Sequence, residues 1–148
     1  MSRPRPAERA ERLRSPLLLA LWVLLGFEAV TGLWLFTAFL VAGRRPGESI
    51  HVVAGVPLTA IYAVYQWRHW KRVAPLRARP DYVLGLVAAT VTALTIATGL
   101  VLGVVWWKKL PYPTALTALH NIGSMLVLSF VGAHLAAVLM RLGATGER

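Results

Sequence analysis

"PLLLALWVLLGFEAVTGLWLFTAFLVA", residues 16–42, decides how many helices the chain keeps. An arginine-rich segment precedes it, as in a signal peptide, but the apolar core of a signal peptide is only about 7 to 15 residues long. This run is far longer, and it exceeds the ~20 helical residues that cross a hydrocarbon core. It reads as a retained transmembrane helix. Working outward, three more apolar runs follow at 49–70, 82–107 and 114–140, separated by short polar or proline-bearing breaks. The 148-residue chain is 57% hydrophobic with six acidic residues, too apolar for a soluble domain of its size. The expected fold is an all-α membrane protein: a four-transmembrane-helix bundle built from two similar helical hairpins. It covers residues 16–141, between a basic tail at 1–15 and a short tail at 142–148.

The net charge of +10 would point to nucleic acid in a soluble protein, yet its placement along the chain is topogenic. Arg3, Arg5, Arg9, Arg12 and Arg14 precede the first span; Arg68, Lys71, Arg72, Arg77 and Arg79 lie around the second break; Arg141 and Arg148 follow the last span. Only Arg44, Arg45, Lys108 and Lys109 fall on the opposite side, a ratio of 12 to 4. The positive-inside rule then makes both termini cytoplasmic in an inner-membrane, multi-pass protein with no role for nucleic acid. Trp67 and Trp70 at one face, with Trp106 and Trp107 at the other, fit an interfacial aromatic belt. The chain has no cysteine, which excludes disulfides, iron–sulfur clusters and thioether-linked haem. With short loops and small tails, any catalytic domain is expected on another chain.

Two landmarks recur. "TGL" stands at 31–33 and again at 98–100, an offset of 67; "IHVVAG" opens the second span and "LHNIGSM" lies in the fourth, placing His51 and His120 at an offset of 69. A near-constant offset marks the second hairpin as a copy of the first. Two hairpins in sequence make the second and fourth helices run in the same direction. Placing their centres near Ala60 and Val127 puts His51 level with His120 and His69 level with His134, each pair mismatched by about 3 Å at 1.5 Å per residue. On this count His51 and His69 lie near the two interfaces, while His120 and His134 lie deeper.

Histidine is costly in hydrocarbon without a partner, and all four histidines fall on these two helices. Two facing imidazoles can hold haem iron from both sides, saturating it for electron transfer rather than oxygen binding. Stripes of small residues, including Gly32 and Gly99, offer shallow faces for haem packing; equally, such stripes are the ordinary means of close helix packing in membranes. Arg44, Arg45, Lys108, Lys109, Arg68 and Arg72 could pair with propionates, although topology already accounts for them.

These features resemble the membrane-embedded di-haem b-type cytochromes of bacteria, the four-helix cytochrome b subunit family. The resemblance rests on "VTGLWLF" with "ATGLVLG" and on "IHVVAG" with "LHNIGSMLVLSFVGAH", and it covers residues 16–141. It implies two b-type haems, or one, with His51 and His120 as axial ligands of the outer haem and His69 and His134 of the inner. It also implies membrane lipid, a quinone and a separate redox subunit or complex as partners. The chain departs from the family pattern in three ways. The His51–His69 interval is 18 rather than the 14 of His120–His134, with Tyr65 at the fourteenth position; helix 1 carries no histidine; and Pro57 between the two histidines is expected to bend the second helix.

Glu28 lies near the middle of the first span, on the face of Gly32. A mid-membrane carboxylate is a functional candidate, here for proton transfer to or from a quinone, or else a protonated side chain hydrogen-bonded to a neighbour. Gln66 and Asn121, beside histidines, are candidates for supporting or quinone contacts. Glu28 also anchors a competing reading as a small proton-coupled multidrug exporter, in which the histidines are incidental. A single-haem quinone-binding anchor and a cofactor-free scaffold stay open beside it. The chain itself is expected to be a non-catalytic electron-transfer subunit.

Overall fold

The computed structural model describes residues 15–73 and 80–146, with side chains described for 15–73 and 82–140. Most of the basic tail, Arg77 and Arg79 of the second break, and Arg148 lie outside the described residues, as does the side chain of Arg141.

Four helices follow one another: α1 Pro16–Ala42, α2 Glu48–Val73, α3 Pro80–Trp107 and α4 Thr114–Gly146. Each contains a stretch long and apolar enough to cross a membrane. Ser15 caps α1 by accepting from the Leu18 N–H at 3.3 Å, and Pro16 occupies the first helical position, where no amide donor is required. Gly43 stops α1 in the left-handed region at φ 63°, returning its N–H to the Phe39 carbonyl at 2.9 Å. Lys109 does the same for α3 at φ 54°, with the Lys109 and Leu110 amides each 3.0 Å from the Trp106 and Val105 carbonyls.

The apolar runs underestimate three of these helices. α2 begins one residue earlier than its run and continues to Val73, α3 begins at Pro80, and α4 runs on to Gly146 through part of the segment expected as a tail. A helix does not end where apolarity ends: Lys71 and Arg72 extend α2 because charge near a helix C-terminus is favourable and the backbone bonds continue. Pro57 lies inside α2 without breaking it.

Each helix packs on its neighbours in sequence, α1 on α2, α2 on α3 and α3 on α4, and α4 returns to α1, so α2 and α4 stand on one diagonal. Packing is closest between α3 and α4. Gly123 explains part of this, since a Cβ there would lie 2.5 Å from Thr95 Oγ1. Among the described residues the buried apolar positions are Leu21, Leu58, Ala88, Val105 and Val127. Leu21 and Ala88 are related by the repeat offset of 67, and Leu58 and Val127 by 69. The duplication seen in the sequence therefore relates four of these five buried positions. Most other large apolar side chains are exposed, as lipid-facing surfaces are.

Candidate functional site

His51 is the fourth residue of α2, which reads as an interfacial position, yet its ring lies over Gly32, ten residues before the end of α1. α1 therefore overhangs the start of α2 by about seven residues, roughly 10 Å, and the 43–47 loop folds back to cover the difference. The His51 side chain is 20% exposed. A Cβ on Gly32 would lie 3.2 Å from His51 Cε1, and one on Gly99 would lie 2.9 Å from His120 Cε1. The two glycines thus seat the imidazoles themselves. Gly85 repeats the arrangement fourteen residues from Gly99, with its missing Cβ 2.9 Å from His134 Cε1.

Hydrogen bonds select the tautomer. Thr31 Oγ1 donates its single proton to the Phe27 carbonyl at 2.9 Å, so its oxygen, 2.9 Å from His51 Nδ1, accepts there. The Glu28 carboxylate oxygen Oε2 lies 2.8 Å from the same nitrogen. Thr98 Oγ1 likewise donates to the Thr95 carbonyl at 2.9 Å and stands 3.2 Å from His120 Nδ1. The Thr95 carbonyl itself lies 3.1 Å from the same Nδ1. The Thr95 carbonyl can only accept, so His120 carries its proton on Nδ1; the same tautomer of His51 sets its N–H beside the Glu28 carboxylate, and in that tautomer each Nε2 is a bare acceptor. The ring centroids of His51 and His120 are 6.3 Å apart, with their planes inclined at 74°.

The other two histidines are not placed alike. Counting from the His51–His120 contact, His134 is fourteen residues along α4 and His69 eighteen along α2. The α2 residue level with His134 is therefore Tyr65, and His69 lies one turn beyond it, about 6 Å along the helix. Helical side chains lean toward the N-terminus, and the His69 ring leans back onto Tyr65, with centroids 5.4 Å apart and planes within 15°. His134 keeps a buried Nδ1 with no hydrogen-bond partner.

Tyr62 ties α2 to α3 by donating to the Ala89 carbonyl at 2.8 Å. Gln66 and Asn121 are half-buried. Gly85 and Thr95 belong to the row of small residues expected on α3, whereas the hydroxyls of Thr31 and Thr98 were not among the site groups drawn from the sequence. Their signal was present: the repeated Thr-Gly marks a hydroxyl beside a seat for the ring.

At the loop end of the bundle, Arg45 pairs with Glu48 at 3.3 Å and lies 4.1 Å over the Tyr112 ring, joining the two hairpin loops. Burial, together with the neighbouring Glu48 carboxylate, pushes the Tyr112 phenol up to about 12. A shallow depression of about 570 Å³ lies beside these residues, walled by Trp106, Trp107 and Leu110.

Among the described residues no three histidine, cysteine or acidic side chains converge as a protein-only metal site would require. Haem brings four equatorial nitrogens of its own and asks the chain only for two axial ligands. With metal–nitrogen bonds of about 2 Å and an imidazole radius near 1 Å, two rings on one iron place their centroids roughly 6 Å apart. The His51–His120 centroid separation of 6.3 Å is of that size. No family model, curated protein or solved structure matches the chain.

Proposed function

We propose that the chain is a membrane electron carrier that holds b-type haem between α2 and α4, with His51 and His120 as axial ligands through Nε2. The observation that carries this reading is the 6.3 Å centroid separation of two rings whose other nitrogens are already engaged. Metal-ligating histidines characteristically give the second ring proton to a carboxylate or carbonyl, which fixes tautomer and ring orientation. Glu28 and the Thr95 carbonyl stand in those roles. Bound there, haem supplies a one-electron couple at its iron, with no open position for a substrate.

His134, seated on Gly85, and His69, stacked on Tyr65, are the ligands of a second haem in this reading, toward the opposite membrane face. The chain then relays electrons across the membrane between a quinone and a separate redox subunit. The 12 to 4 distribution of basic residues supports cytoplasmic termini in an inner membrane. An exporter centred on Glu28 has no use for the His51 ring that its carboxylate holds at 2.8 Å.

The test is a pyridine haemochrome assay with protein determination on chain purified from a haem-producing host. Two haems b per chain support the full reading, one restricts it to His51 and His120, and none overturns it.

A further inference from the structure

The two halves of the repeat treat their histidines differently. At the offset of 67 that relates Thr31 to Thr98 and Gly32 to Gly99, the counterpart of Glu28 is Thr95. His120 Nδ1 therefore faces a neutral backbone carbonyl at 3.1 Å, while His51 Nδ1 faces a carboxylate oxygen at 2.8 Å. The Glu28 side chain is 12% exposed, and its second oxygen, Oε1, is buried with no hydrogen-bond partner. Its only side-chain contact among the described residues is thus with the His51 ring.

Resting on the haem reading above, we propose that Glu28 is a positioning residue that sets the reduction potential of the haem held by His51 and His120. A carboxylate accepting from Nδ1–H shifts electron density onto Nε2 and strengthens its bond to iron. Negative charge at this place also favours the ferric state, which carries one more positive charge than the ferrous. Both effects lower the potential: the first acts through His51, and the second is a field that reaches the whole site. A midpoint set in this way differs between the two haems of one chain, giving the relay a direction.

The experiment is a spectroelectrochemical titration of the purified, haem-loaded chain and its Glu28→Gln and Glu28→Asp variants. Glu28→Gln keeps an acceptor at the ring and removes the charge, so haem content stays and the reduction equilibrium of one haem rises about tenfold, about 59 mV for one electron. Glu28→Asp keeps the charge and moves that haem less. A Glu28→Gln midpoint equal to that of the parent overturns the proposal, as does an equal shift in both variants. Loss of haem from both variants while the chain stays helical assigns Glu28 to the fold and also overturns it. Absence of any haem from the parent chain is a separate result, which removes the electron-carrier reading itself.

Discussion

His51 and His120, from different hairpins, face each other across the diagonal of the bundle with ring centroids 6.3 Å apart. Each ring is held at Nδ1 by its own hairpin, so neither depends on the other for its orientation.

If the chain holds haem as proposed, removing either ring should remove the same haem. His51→Ala and His120→Ala are each expected to lose one haem per chain in the haemochrome assay, with identical residual spectra. His134→Ala should leave that haem in place and lose the other. Different residual spectra for the first two variants would show that the rings serve different sites.

The planes of these two rings are inclined at 74°. Near-perpendicular axial imidazoles leave two iron d orbitals nearly degenerate, so the ferric protein should show the highly anisotropic low-spin resonance of crossed ligand planes in electron paramagnetic resonance. A rhombic signal typical of parallel planes would contradict this orientation.

The glycine seats can be tested against an internal control. Nothing lies within 4 Å of a Cβ placed on Gly26, whereas one on Gly99 lies 2.9 Å from His120 and one on Gly32 lies 3.2 Å from His51. Gly26→Ala should stabilise the helical fold by about 0.5–1 kcal/mol. Gly99→Ala should destabilise it by about 1–3 kcal/mol as the ring is displaced, with Gly32→Ala between the two. Thermal unfolding in detergent, followed by circular dichroism, measures the order.

Tyr65 occupies the level of His134, so Tyr65→His restores a fourteen-residue interval on α2. This variant should keep both haems and change the spectrum of the inner one alone. If His69→Ala changes neither haem content nor spectrum in the parent chain, His69 is not the inner ligand.

Tyr112, outside the membrane spans, should ionise late. Its phenol is raised from 10.0 to about 12, so the native chain holds that proton more tightly than the unfolded chain. The associated stability is complete below the unfolded value and is lost as pH rises through about 12. The difference in tyrosinate absorbance between the parent chain and Tyr112→Phe isolates this midpoint; a value near 10.0 would place the phenol in open water.

Some of the site was legible in one dimension because its causes are local. The Thr-Gly-Leu repeat and the offset between His51 and His120 carry both glycine seats and the first histidine pair, since each copied hairpin uses the same residues for the same contact. Glu28 stood out as a carboxylate in an apolar run, but its partner did not. Counted from the helix end, His51 looked interfacial, and no periodicity reveals that α1 overhangs α2.

Hydropathy and charge are sums over neighbours along the chain, which is why helix number, hairpin order and the duplicated core could be read without coordinates. Register between helices is a different quantity. It depends on how the 43–47 loop folds back and on which small residue a ring rests against, and these contacts join residues far apart in sequence. Packing alone set His51 against Glu28 and Gly32, seated His134 on Gly85 and stacked His69 on Tyr65.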